Sequence, residues 1–368
     1  MGHESGTLED LVVTPMLNQL SVFDGKKILV TGHTGFKGTW LSRTLVLAGA
    51  EVHGISLAPD LGSIYSRIAD LGIQSSTILD IRNRKEVNDY FIGNKFDGVF
   101  HLAAQPLVLE SYEKPVETFE TNVMGTAHIL DSIIENESAE WVLVITTDKV
   151  YKNIEVQKGY SEEDALGGKD PYSASKSATE MVVGAWRSIA EQKKSNIVLC
   201  AARAGNVIGG GDLAKDRLIP DLIRSFNENR PAVIRNPDSL RPWQHVLDPI
   251  SGYLCIGQHL VSRKNVATAY NFGPDDDSRL NVESMAKIAC SLWEGNSGYV
   301  IKSDKNQPPE AVLLWLSSER AHHDLGWKNK LNATAAIKWT LNWERESRET
   351  DAKAATDSQI REYFEGRA

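Results

Sequence analysis

From Lys26 onward the apolar residues fall into short runs separated by stretches with a helical repeat. The run Lys27–Thr31 reads as a first strand, and Trp40, Leu41, Leu45 and Leu47 mark a helix that ends near Gly49. Further strands are predicted at Glu51–Leu57, Ser76–Leu79, Gly98–Ala103, Trp141–Ile145 and Ile197–Arg203, with helices over Pro115–Ile134 and Pro171–Ala190. Short apolar strands alternating with helices imply crossover units, in which helices cover both faces of a parallel sheet. The predicted class is therefore α/β.

After about Gly209 this alternation fades into a stretch containing Pro, Arg and Asp. It returns briefly at Trp243–Gln258 and Ala269–Phe272, then gives way to a helical C-terminal part. The last segment, Trp343–Ala368, is highly charged and reads as a solvated helix or frayed tail. Residues 1–22 stand apart as an N-terminal extension. They carry Glu4, Glu9 and Asp10 and lack the basic start and long apolar stretch of a secretory signal.

Totals narrow the function classes. With 368 residues, 41% hydrophobic and 24% charged, the chain can bury the core of an enzyme, and no apolar run approaches a membrane span. A formal charge of -9 disfavours a general nucleic-acid binder. Cys200, Cys255 and Cys290 are odd in number and widely spaced, so neither a disulfide framework nor a metal site is indicated. The cytoplasm is the expected compartment, and a small molecule the expected partner.

Between the first strand and the first helix lies Gly32-His33-Thr34-Gly35-Phe36-Lys37-Gly38. Glycines at Gly32, Gly35 and Gly38 in this context permit a tight turn, close approach to a pyrophosphate and tight helix packing. His33 and Lys37 are candidate donors beside the phosphates. No acidic residue follows the second strand, which ends Ile55-Ser56-Leu57, so the residues leave NAD and NADP both open. Asp80-Ile81, after the third strand, offers a carboxylate to the adenine amino group, or a helix N-cap. The expected fold is a doubly wound parallel sheet of the Rossmann kind. Residues 23–208, with returning segments near 243–273, form the dinucleotide-binding domain, and 209–242 with 274–368 form a smaller substrate-binding lobe.

Tyr172 and Lys176 are four apart on one predicted helix face, a spacing that lets an ammonium depress a phenol so that it can take a hydroxyl proton. The fifth strand ends Thr146-Thr147-Asp148-Lys149, placing a hydroxyl, a carboxylate and an amine where open α/β sheets bind ligands. These residues also suit an epimerase or a ketoreductase, although an epimerase needs no acid for a C6 hydroxyl.

The chain resembles the extended short-chain dehydrogenase/reductase family and, within it, the CDP-glucose 4,6-dehydratases. The likeness runs from about Phe23 to Trp339. It rests on Thr31–Gly38, His101-Leu102-Ala103-Ala104-Gln105-Pro106-Leu107-Val108, Thr121-Asn122-Val123-Met124-Gly125-Thr126, Asp170-Pro171-Tyr172-Ser173, Ala202–Asp212 and Arg241–Leu247. The resemblance implies NAD as a recycled cofactor and CDP-glucose as the substrate, converted without net redox change to its 4-keto-6-deoxy form in deoxysugar biosynthesis. It implies that Tyr172 takes the C4 hydroxyl proton, Thr147 holds the C4 oxygen, Asp148 protonates the leaving C6 hydroxyl and Lys149 takes the C5 proton. Cofactor contacts would come from Gly32, His33, Gly35, Phe36, Lys37, Gly38, Asp80, Ile81, Leu102, Ala103, Ala104, Asn122, Tyr172 and Lys176. Substrate contacts would come from Gln105, Asn206, Arg217, Arg241, Gln244 and Asn271. It also implies a homodimer in which the helices Pro115–Ile134 and Pro171–Ala190 pair as a four-helix bundle. The chain departs from the family pattern at Leu109, Val150, Leu61–Tyr65 and Pro308-Pro309-Glu310-Ala311.

Overall fold

A computed structural model describes residues 17–155, 158–293, 295, 298–302 and 313–366; the Pro308–Ala311 departure lies outside them. Seven strands form one sheet: β1 (Lys27–Thr31), β2 (Glu51–Ser56), β3 (Ser75–Ile78), β4 (Gly98–His101), β5 (Trp141–Ile145), β6 (Val198–Ala204) and β7 (Ala269–Phe272). They run in the order β7-β6-β5-β4-β1-β2-β3, and every pairing is parallel. All the crossovers in this order bring helices onto the two faces, which explains the unbroken burial of β4 and β5. The order reverses between β1 and β4. A crevice opens there, at the carboxyl ends of the strands.

Helices α1 (Phe36–Leu47), α2 (Arg84–Phe91), α3 (Gly125–Asn136) and α4 (Pro171–Gln192) flank the sheet. The predicted helix Pro115–Ile134 is three pieces in continuous succession: a short α-helix Pro115–Phe119, a π turn Glu120–Met124, and α3. The lobe contains α5 (Leu218–Asn227). α6 (Leu247–Val261) returns to the sheet, α7 (Val282–Leu292) lies in the lobe, and α8 (Ala333–Glu349) and α9 (Ala352–Glu365) end the described chain. The lobe has its own core, in which Leu222, Phe226 and Trp243 meet Met285, Ala286 and Ile337.

The charged C-terminal segment departs from expectation. Trp343 is fully buried with Tyr363 and Ile360, packed in the same core as Trp40, Leu41 and Leu45 of α1. Arg43 of α1 grips Asp357 through two bonds of 2.6 and 2.7 Å. Charges such as Arg345, Arg348, Glu349 and Glu362 occupy the exposed side of α8 and α9, and that side dominates the composition while an apolar stripe does the packing. Trp343, Ile360, Tyr363 and Phe364 therefore pack with the core around α1 rather than standing in solvent. The described end of the N-terminal extension behaves likewise, with Leu17 and Leu20 buried beside Phe23.

One buried acid ties these late helices to α6. Asp248 accepts from the Tyr363 hydroxyl (2.7 Å) and the Lys330 amide (2.9 Å), while its Oδ2 has no partner. Burial pushes its carboxyl up to about 7, against hydrogen bonds that pull it down. The unfolded group ionises near pH 4, so the folded state holds the extra proton from there to about pH 7, and stability falls as pH rises through that window. The full cost, on the order of 4 kcal/mol at neutral pH and above, should vanish in Asp248→Asn. Denaturant midpoints measured from pH 5 to 8 should decline less in the variant than in the wild type; parallel declines would refute this account.

Candidate active site

The first turn of α1 sets one wall of the crevice. Gly32 has φ +73, and a Cβ there would stand 2.8 Å from the Ala103 amide nitrogen; one on Gly38 would stand 2.0 Å from the Gly32 carbonyl oxygen. Both glycines are thus dictated by packing of the loop on β4 and of the helix on the loop. The N-cap of α1 is the exposed Gly35, and no side chain caps the helix. Its open backbone donors and positive dipole end therefore fit a pyrophosphate. Thr31 Oγ1 accepts from the Leu102 and Ala103 amides, both at 3.1 Å, and so stitches together the ends of β1 and β4. Phe36, half-buried, packs against Gly209.

Several predicted cofactor residues take other posts. His33 lies beneath the loop rather than beside a phosphate: it is fully buried, its Nε2 bonds Ser76 Oγ at 2.7 Å, and a Cβ on Gly54 would strike its ring. Burial lowers its basicity and keeps the imidazole neutral. The N-cap of α2 is Asn83, not Asp80, which instead accepts from the Arg82 amide and forms an ion pair with its guanidinium. Ile81 is buried against Gly125. Asn122 accepts from the Gln105 amide and donates to the Gln105 carbonyl and to Ser175 Oγ, so its side chain locks the π turn to α4 instead of pointing at a ligand. Ala104 is half-buried between these anchors.

Opposite the loop, β5 ends at Thr147, Asp148 and Lys149. Thr147 caps the short turn that follows, and its hydroxyl donates to Asp148 Oδ1 at 2.9 Å. Tyr172 sits in the first turn of α4, which is started by the Asp170 cap and Pro171. Thr147 and Arg217 are near enough to the Tyr172 hydroxyl to pull its phenol down. Phenol, threonine and buried carboxylate therefore meet at one end of the strand. Burial pushes the Tyr172 phenol up to about 12, with Arg217 and the Thr147 bond pulling the other way. Lys176 is buried, donates to the Ile145 carbonyl at 3.3 Å, and is itself lowered to about 8 by burial and by the like charge of Lys37, against Glu180.

Lys37 is the residue the sequence least prepared us for. It faces Arg217, Asp148 and Asp212 across the crevice, and burial brings its ammonium down to about 8. The cation coupled to Lys176 is therefore Lys37 of the glycine loop. Lys149 stands half-buried, with its amide toward Thr147 Oγ1. The only hint in the sequence was a lysine in the first turn of a helix, where the dipole disfavours a cation.

Of the predicted substrate contacts, Arg217 reaches the crevice: it faces Lys37 and Tyr172 and bonds Asp212 at 3.3 Å. Asn206, half-buried, follows Gly205, whose Cβ position lies 3.0 Å from Asp148 Oδ2. Arg241 is in a lobe strand paired with Leu280. Three others have their side-chain amides engaged with protein partners. Gln244 is fully buried and donates to the Phe272 carbonyl. Asn271 is fully buried, accepting from the Tyr151 hydroxyl and donating to the Tyr160 and Ser317 carbonyls. Gln105 spends its amide on Leu107 and Thr118. All three hold backbone in place.

Known proteins share this sequence and fold. A CDP-glucose 4,6-dehydratase from Salmonella typhimurium is 42% identical over 333 residues, covering 88% of this chain and 92% of that protein. A probable dTDP-glucose 4,6-dehydratase from Sinorhizobium fredii is 27% identical, with 87% and 93% covered. The structure of a dTDP-glucose 4,6-dehydratase from Streptomyces venezuelae, solved with NAD bound, matches with a TM-score of 0.72 at 21% identity, covering 88% of this chain and 98% of that one. Residues 29–340, which include the glycine loop, the Thr147–Lys149 strand end and the Tyr172 helix, match the model of the GDP-mannose 4,6 dehydratase family, and the chain belongs to that family.

Proposed function

We propose that this protein is an NAD-dependent CDP-glucose 4,6-dehydratase. The observation that carries the reading is the bonded pair of Thr147 and Asp148 just past β5, with the Tyr172 phenol beside it and an uncapped phosphate cradle opposite. In this reading Tyr172 takes the proton of the C4 hydroxyl as the C4 hydride departs, and Thr147 holds the C4 oxygen. The resulting ketone acidifies the C5 hydrogen, which Lys149 removes. Asp148 protonates the C6 hydroxyl, and water leaves across C5 and C6. NAD, when bound along the glycine loop, would supply the acceptor for the C4 hydride and return that hydride to C6 of the dehydrated sugar, while Lys149 gives the proton back to C5, so that the cofactor ends oxidised. Arg217 and Asn206 serve the nucleotide sugar, with Arg241 assigned to it by resemblance. An epimerase on the same fold would have no use for the buried acid Asp148, which favours the dehydratase. The identity to the Salmonella protein points to cytosine as the base.

Purified protein incubated with CDP-glucose should form the 4-keto-6-deoxy sugar with no net accumulation of NADH. Absence of product from CDP-, dTDP-, UDP- and GDP-hexoses alike would end the dehydratase reading, and product from another nucleotide alone would reassign the base. The proposal includes a homodimer, supported by Val116, Phe119, Met124 and Met181, which stand exposed on the Pro115–Asn136 stretch and α4. Light scattering that reports a monomer mass would remove it. A cytoplasmic setting is supported by the three cysteines, none of which is in a disulfide.

A further inference from the structure

Below the catalytic centre lies a polar network that none of the proposed steps uses. Glu180 is one helical turn along α4 from Lys176. Its Oε1 accepts from Thr146 Oγ1 at 2.6 Å and from Arg203 Nε at 2.9 Å, and its Oε2 accepts from Arg203 Nη2 at 3.0 Å. Both side chains of this ion pair are only 5% exposed. Arg203 of β6 continues the chain, donating to the Tyr151 hydroxyl at 2.7 Å with its guanidinium 5.1 Å from the Tyr151 ring; Tyr151 in turn donates to Asn271 of β7 at 2.7 Å. The network thus joins α4, β5, β6 and β7 directly under Thr147 and Lys176.

Such a pair is costly to bury, and apolar residues of similar volume would often serve stability as well. Its place suggests another use. The charged or titratable groups facing Lys176 are Lys37 from α1, His101 from β4 and Glu180 from its own helix. His101 is kept neutral by burial and by Lys176 itself, bridging Thr31 and Thr126. Lys37 repels the ammonium. Glu180 is the only opposing charge among these three.

We infer that Glu180, clamped by Arg203 and Thr146, is a positioning residue that keeps the catalytic lysine protonated and seated on the Ile145 carbonyl. Arg203 has the complementary part: its two bonds fix the direction of the carboxylate. The inference rests on the catalytic reading of Tyr172 and Lys176 given above.

Without the carboxylate, burial and Lys37 act on Lys176 unopposed, and it should lose its proton at lower pH. In Glu180→Gln the alkaline limb of the kcat/KM profile should therefore move down by roughly one pH unit, a tenfold change in the protonated fraction at a given pH. Because Arg203 would be left unpaired in that variant and its bare charge would itself depress Lys176, Glu180→Gln/Arg203→Met removes both charges at similar shape, and a smaller displacement in the same downward direction is expected. The sign is diagnostic, since simple loosening of the fold would lower activity at all pH values alike. An unmoved limb in whichever of these variants retains the wild-type circular dichroism spectrum overturns the inference. Lys176→Met separates the two levels. Full activity in that variant sinks the catalytic reading itself, whereas an inactive Lys176→Met beside an unmoved Glu180→Gln profile sinks only the role of Glu180.

Discussion

Replacing Tyr172 by Phe is expected to lower kcat by about 10²–10⁴-fold, the range for removal of a positioned acid–base group. The ring remains in place in the first turn of α4, so packing is kept and only the hydroxyl link to Thr147 is lost. Affinity for the cofactor, read by fluorescence titration, should change by less than a few-fold. The phenol itself explains why the loss should be so large. Burial holds it up to about 12, so at physiological pH the phenol carries its proton. The positive charges brought near it, Arg217 already among them, are what make it a base. A variant with more than a tenth of wild-type turnover would remove Tyr172 from the proton transfer.

The second large effect concerns the elimination. Lys149→Met should stall loss of water, lowering product formation by about 10²–10³-fold, while oxidation at C4 remains detectable as transient absorbance of reduced cofactor. Exchange of the C5 hydrogen with deuterated solvent should disappear with it. The structure supplies a rival, because Lys37 also faces Asp148 across the crevice. Lys37→Met should keep C5 exchange if Lys149 is the base. Unchanged exchange in Lys149→Met together with its loss in Lys37→Met would transfer the role to the glycine loop.

How far the sequence could be read depended on what each residue's neighbours were. Strands β1 and β5 begin and end at the predicted residues, Lys27–Thr31 and Trp141–Ile145, because a strand covered on both faces advertises itself as an unbroken apolar run. The glycine loop was legible for a similar reason, since its spacing is imposed by local backbone contacts of Gly32 and Gly38. The tail after Trp343 was misread because average charge conceals a stripe of Ile360, Tyr363 and Phe364 that comes into view only when α9 is laid on α1. Amides were the least legible. Gln105, Asn122, Gln244 and Asn271 carry the same groups whether they face a ligand or a backbone, and only the fold reveals that all four are committed to protein partners. Lys37 escaped for the opposite reason: its partners Arg217, Asp212 and Asp148 are far from it in sequence, and no local spacing records them.

The burial of Trp343 has a bearing on how the molecule is made. Its ring packs against Gly210, where a Cβ would stand 2.0 Å away, and its Nε1 donates to Thr356. Trp40 of α1 donates to the carbonyl of that same Gly210. A helix that emerges early from the ribosome is therefore completed by residues translated some three hundred positions later. Chains are synthesised from the N-terminus, and their domains generally fold as units in that order. Here α1 must wait with its outer side uncovered until α8 and α9 arrive. During synthesis those apolar side chains stay exposed, and premature termination anywhere before Trp343 leaves them open.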